Sequence, residues 1–392
     1  MLLSAILSAL LAGAAHAQGP GTVVDVTPTG AVEPAAIRHG AQYPVDSYLI
    51  GYESTALDGS STVITAHLLV PRLPAPRKVP VYVFGTGTTG LIDRCAPSTE
   101  HIRGINWGQY RAHTLAHAGQ GVIGIMPDYM GFGDPDMLQP YFVAEAEGRV
   151  MLDAIRAAAN FVEQQGTNAR AGGGFVAGFS QGGHAAFAAA DRHADYGADV
   201  DLRGVIGYGP TTDVAGVLRE FTVVAPMIIY TYSRLYGTDK IDPAAILSGQ
   251  WAANLEHDVT SQCIGAMQQQ YPWSPGPMFT AEFTEALLND SLGESYPGVH
   301  ELLEKNSTGL SGHGIPALIL QGTEDVVINI DTQSAFVAEL CRTGAAVRYP
   351  NYFGARHDTR EVAFYDVQEW MRNLVDGGVP PTDCGLFAGG SY

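Results

Sequence analysis

The chain has 392 residues, 40 of them acidic and 21 basic, for a formal net charge of −19. With no basic run anywhere, that balance argues against a nucleic-acid partner, because phosphate backbones are gripped by clustered Lys and Arg. Four cysteines without a C-x-x-C pair support neither a zinc knuckle nor a redox dithiol, and an even number in an exported chain points to two disulfides.

The opening "MLLSAILSALLAGAAHAQ" is apolar and ends in Ala15-His16-Ala17, an A-x-A cleavage signal. Residues 1–17 therefore read as a signal peptide of a secreted or periplasmic protein, although only the amino terminus supplies its positive charge. No later stretch is long and apolar enough to span a bilayer. Next come strands at 61–72 ("STVITAHLLVPR") and 79–85 ("VPVYVFG"), a helix at 107–119, a strand at 121–129 and a long amphipathic helix at 144–165. A strand at 174–179 runs directly into an Ala-rich helix, and "LRGVIGYGP" at 202–210 is the next strand. After a long interval follow a strand at 315–322, a helix around 334–344, a strand at 345–352 and a final helix at 360–377. Short apolar runs interleaved with helices imply an α/β fold, a mostly parallel central sheet covered on both faces.

The interval 211–312 breaks this rhythm, being helical, aromatic and without a clear strand. An insertion there, at the carboxyl edge of the sheet, reads as a cap over a ligand site. The expected organisation is a core in two parts, 18–210 and 313–392, with a mainly helical cap at 211–312. The apolar segment "MIIYTYSRLYG" at 227–237, Ile228 included, is expected to line an acyl channel. Asn289 and Asn306 open glycosylation sequons, which matter only in a host that glycosylates.

The chemistry centres on "GFVAGFSQGGHAAF" at 174–187, where Ser180 stands at a strand-to-helix corner between Gly178 and Gly182. Such a corner forces its apex into a strained conformation and brings the residues two positions away almost into contact, hence the glycines. It exposes a hydroxyl at a helix N-terminus, where developing negative charge is favoured. This is the G-x-S-x-G nucleophile elbow, and its partners are expected in the order Ser, Asp or Glu, His. Asp325, just past the strand at 315–322, is the expected acid, with Glu324 its competitor. His357, in the loop after the last expected strand, is the expected base. Oxyanion donors are expected from the backbone N–H groups of Gln181 and of Thr88, with Gly87 the alternative to Thr88. His113 and His117 have the spacing of a zinc pair but lack the glutamate of metalloprotease chemistry, and read instead as the surface of an amphipathic helix. His184 reads as a packing or supporting residue.

Together, "GTGTTGLIDRCAPS", "MPDYMGFGDPDMLQPYFVAEAEGRVMLDAIRAA", "GFSQGGHAA", "QGTEDVV" and "GARHD" resemble the secretory lipase family, of which the yeast lipase A type is the best known. The resemblance covers nearly all of the chain after residue 17. It implies an α/β-hydrolase core with a helical cap, no metal or other cofactor, and hydrolysis of acyl esters by Ser180, Asp325 and His357. Thr86 departs from it, standing where bacterial members often carry histidine. Of the three possible cysteine pairings, Cys95–Cys263 and Cys341–Cys384 fit the pattern it implies, the first fastening the cap beside the oxyanion loop. The expected protein is an exported serine carboxylic-ester hydrolase acting on a small-molecule or lipid ester, for lipids at the lipid–water interface. The competing readings are a serine peptidase or amidase of the same fold and a non-catalytic binding module, separated by amide turnover and by reaction with a serine-directed phosphonate.

Overall fold

The structure, a computed structural model, describes residues 19–100 and 105–387. The expected signal segment, 1–17, lies outside the described residues. The ten strands are β1 (Val23–Val32), β2 (Val45–Thr55), β3 (Ser61–Pro71), β4 (Arg77–Gly85), β5 (Ile123–Pro127), β6 (Ala169–Phe179), β7 (Leu202–Tyr208), β8 (Ala317–Gly322), β9 (Val347–Arg348) and β10 (Asn351–Tyr352). They form one sheet in the order β1-β2-β3-β5-β4-β6-β7-β8-β10, with β9 also paired to β8. Pairing is antiparallel from β1 to β5 and parallel from β5 onward.

Burial explains where the sequence pattern was readable. Strands β5 and β8 are buried along their whole length, so they appear as continuous apolar runs. In β3 the first residues alternate exposed and buried, and from Ala66 to Pro71 all are buried, as the strand passes under covering helices. Strand β1 is almost wholly exposed and carries Pro28 and Gly30 beside register shifts. Its backbone ladder to β2 holds it rather than an apolar face, and neither strand was anticipated. The segment expected as one strand at 345–352 is two short ones, interrupted at Pro350.

Helices α1 (Tyr110–Gly119), α2 (Ala144–Gln164) and α3 (Gln181–Tyr196) cover the sheet, joined later by α13 (Ile330–Arg342) and α14 (Phe364–Val375). In α1 the structure corrects the reading of its histidines as surface. His113 and His117 are both buried, with His113 Nε2 2.9 Å from the Tyr82 hydroxyl and His117 stacked on the Tyr82 ring. Burial pushes His117 down to about 3, so this helix face is neutral and aromatic. Arg360 and Gln368 roof that face from the other side, which the helix's own periodicity could not reveal.

Between β7 and β8, every regular element is helical: α4 (Val214–Glu220), α5 (Ala225–Tyr236), α6 (Pro243–Ile246), α7 (Gly249–Ser261), α8 (Ile264–Gln270), α9 (Pro275–Met278), α10 (Ala281–Leu288), α11 (Leu292–Ser295) and α12 (Pro297–Asn306), with a short 3-10 turn at Thr222–Val224. Cys95 is bonded to Cys263 at the start of α8, where Ile264 N–H also donates to the Thr89 carbonyl at 2.9 Å. Cys341–Cys384 fastens the C-terminal segment to α13. Both pairings are those expected. Asn306 is buried, so its sequon is closed in the folded chain, whereas Asn289 is exposed. Among the described residues no single helix is long and apolar enough to cross a membrane, though the bent pair 214–220 and 222–236 passes on length and composition together.

Candidate active site

Strand β6 ends at Phe179 and α3 begins at Gln181, leaving Ser180 alone at the corner with φ 54° and ψ −116°. A positive φ in a non-glycine residue stores on the order of 1–3 kcal/mol of strain. Four backbone bonds hold it in place: Ser180 N–H donates to Tyr208 O at 3.1 Å, and Ser180 O accepts from Gly183, His184 and Thr211 N–H. A Cβ at Gly178 would run into the Gly182 carbonyl, and one at Gly182 into that of Gly85. The corner therefore tolerates only glycine at both places.

Asp325 follows the carboxyl end of β8. Its Oδ1 accepts from Val327 N–H at 2.8 Å and Ile328 N–H at 3.0 Å, and its Oδ2 from Gln321 Nε2 at 3.3 Å and His357 Nδ1 at 2.9 Å. The Asp325 side chain is wholly buried, whereas Glu324 is exposed. Of the two candidate acids, Asp325 holds the histidine. With Nδ1 donating to the carboxylate, Nε2 of His357 is left as an acceptor; it is buried and has no partner among the described residues. The ring packs at 4.8 Å against Phe179, the residue before the serine.

Ser180 and His357 line one cavity of about 440 Å³. Thr88 lies on its wall, its hydroxyl 2.6 Å from the Tyr141 hydroxyl. A Cβ on Gly87 would run into the Tyr110 hydroxyl and the Phe179 ring, so that position of the loop takes only glycine. Gln181 opens α3, so its N–H is a first-turn donor without a partner inside the helix. The apolar wall comes from Val217, Phe221, Val224, Ile264 and Val327. This corrects the expectation for 227–237: Ile228 is fully buried in α5 and is not part of the cavity wall. Helix α4 and the turn after it, together with Ile264 of α8 and Val327 after β8, supply that wall instead.

Two charged residues beyond the expected set, Asp358 and Arg360, also border the cavity. Arg360, only 7% exposed, lies over the Tyr110 and Phe179 rings at 4.7 and 5.0 Å and pairs with Asp358 at 2.6 Å. Burial would push the Asp358 carboxyl up, but the guanidinium outweighs it and holds the group below its ordinary value. The pair braces the far side of the His357 loop against the segment leading into α1 through a bond from Arg360 to Gly108 O at 2.7 Å. In sequence it is only "HDTR", and nothing in that tetrapeptide shows that the arginine turns inward.

No curated protein matches the sequence at a significant level. Among solved structures, the chain is similar to the rice cell wall degrading esterase LipA from Xanthomonas oryzae, with TM-score 0.73 and 17% identity over 91% of this chain and 97% of that one. It is also similar to a putative hydrolase from Legionella pneumophila, with TM-score 0.71 and 16% identity over 94% and 99% of the two chains. The third is Candida antarctica lipase A, with TM-score 0.67 and 18% identity over 94% and 84%. At these identities the likeness establishes the fold, an α/β-hydrolase. The secretory lipase family model matches residues 109–367, a span that includes Ser180, Asp325 and His357. This chain belongs to the secretory lipase family and is a carboxylic-ester hydrolase.

Proposed function

We propose that the protein is exported and cleaves acyl esters through an acyl-enzyme formed on Ser180, with His357 as base and Asp325 as the acid that orients it. The observation that carries this reading is the Asp325–His357 bond at 2.9 Å, which presents an unpartnered Nε2 in the same cavity as the strained Ser180. In the first half-reaction His357 Nε2 takes the Ser180 proton as Oγ attacks the ester carbonyl. The oxyanion is received by the N–H groups of Gln181 and Thr88, each worth roughly 2.7–4 kcal/mol in such sites. His357 then gives its proton to the departing alkoxide, and the alcohol leaves. In the second half-reaction water, deprotonated by the same nitrogen, releases the acid and restores Ser180. The Asp325 carboxylate stays ionised throughout and stabilises the imidazolium.

The helices at 211–312 act as a cap whose apolar residues receive the acyl chain, so the substrates are esters of fatty or other apolar acids. The disulfides and the A-x-A signal support export. A matched series of p-nitrophenyl esters and p-nitroanilides with two to sixteen acyl carbons tests the reading. Ester turnover with an optimum above acetate, and anilide turnover at least about a thousandfold slower, is expected; comparable amide turnover would make it an amidase.

A further inference from the structure

Behind the elbow lies a carboxylate that the proposed reaction does not use. Glu147, on the first turn of α2, is 2% exposed. Its Oε1 accepts from Gln181 Nε2 at 2.8 Å and from Phe142 N–H at 3.1 Å, and its Oε2 lies 2.6 Å from His184 Nδ1. His184 Nε2 reaches the Asn306 carbonyl at 2.6 Å, which can only accept, so that nitrogen carries a proton. One further proton lies between Nδ1 and the carboxylate. The cluster is buried and its polar atoms are bonded to one another, and replacing such buried polar groups by apolar ones of like volume is often neutral for stability. Stability alone therefore does not account for its position.

Its connections are informative. Gln181 opens α3 and carries the first oxyanion N–H. Phe142 has φ 54°, a strained conformation, and its N–H is held by Glu147. The preceding residue, Tyr141, is the one whose hydroxyl lies 2.6 Å from that of Thr88, bearer of the second oxyanion N–H. Thus a single carboxylate ties together the two segments from which the oxyanion donors come, and those segments are otherwise far apart in sequence. Such donors stabilise an oxyanion only if they are held before the charge develops.

We infer that Glu147 is a positioning residue that sets the separation of the two oxyanion donors, bonding Gln181 directly and Thr88 through the Phe142–Tyr141 turn. The inference rests on the proposed roles of Ser180, Gln181 and Thr88. Glu147→Gln would not break the tie, because its NH₂ can donate to a bare His184 Nδ1 while its oxygen still accepts from Gln181 and Phe142. Glu147→Met keeps the length of the side chain but accepts from none of the three, so the turn or α3 shifts.

The test compares wild type and E147M, with active sites counted by fluorophosphonate titration. For p-nitrophenyl butyrate, kcat per titrated site is expected to fall roughly 10–100-fold while KM stays within about threefold. Inhibition by butylboronic acid, which forms a tetrahedral adduct, should weaken in the same proportion, while competitive inhibition by butanol is unchanged. A lower melting temperature with unchanged kcat per site, or equal weakening of both inhibitors, would overturn the inference. Should E147M not fold, Gln181→Met removes one arm while sparing the carboxylate and the backbone N–H. Its kcat should fall about 3–10-fold by the same principle, and an unchanged kcat with unchanged boronate inhibition would overturn the inference. Failure of wild type itself to be titrated at Ser180 would instead reject the underlying reading of the site.

Discussion

Asp325→Asn is isosteric, and the bonds around that side chain specify what it should do. Oδ1 accepts from two backbone N–H groups, at 2.8 and 3.0 Å, so the amide oxygen of the variant must occupy that side. The NH₂ then takes the place of Oδ2, facing Gln321 Nε2 and His357 Nδ1. Gln321 is itself a donor, bound also to Ile328 O at 3.0 Å, and is pushed away. His357 must accept at Nδ1, which places its proton on Nε2, the nitrogen that has to be bare to deprotonate Ser180. Loss of the correct tautomer in such triads lowers kcat by about ten-thousandfold, or roughly 5.5 kcal/mol of barrier. The assay is kcat for p-nitrophenyl butyrate across pH 5–10, beside Glu324→Gln, whose exposed carboxylate should be replaceable with less than about a twofold effect. A D325N rate within tenfold of wild type, or a larger loss in E324Q than in D325N, would refute the reasoning.

Val224 lines the cavity, so Val224→Trp should move the ester optimum toward shorter chains while sparing acetate, and uniform loss at every chain length would count against it. Ile228→Trp, packed inside the helices and away from the cavity, should instead cost about 1–3 kcal/mol of stability in chemical melts and leave chain-length preference unaltered. Asp128 is buried at the end of β5, where desolvation pushes its carboxyl up to about 7 despite bonds from Ser98. The folded state thus keeps a proton that the unfolded chain loses near pH 4, so this group makes stability fall as pH rises from about 4 to about 7 and stay low above. Asp128→Asn should therefore be more stable than wild type at pH 8, by up to about 4 kcal/mol, with the gap closing toward pH 4. Urea melts between pH 4 and 8 check this, and parallel curves would contradict it.

The elbow was legible in the sequence because its demands are local. Gly178 answers a steric problem that exists within five residues, since its Cβ would meet the Gly182 carbonyl, whereas Gly182 makes room for the Gly85 carbonyl of β4. Asp325 was legible because a fully buried strand, β8, announces its end just before it. His357 was legible because it stands in the loop after the last strand segment, although the short β9 and β10 there are not fully buried. The roles that were missed depend on partners distant in sequence. His113 and His117 look like a helix surface until Tyr82 and Gln368 close over them. Strand β1 carries no apolar alternation, because backbone pairing and not side-chain burial holds it. The segment at 227–237 is as apolar as a channel wall, yet apolarity alone does not distinguish lining a cavity from filling the space behind it. Glu147 and Arg360 are ordinary charged residues in sequence, and only the folded chain shows that both are buried.

The central claim is that Ser180 is the nucleophile. Reaction with a biotinylated fluorophosphonate, followed by mapping of the labelled peptide, tests it most directly. One equivalent per chain on the peptide containing Ser180 is expected, with labelling and ester turnover both lost in Ser180→Ala. Label on a different serine, or an S180A variant that still turns over ester at more than about one-thousandth of the wild-type rate, would contradict it.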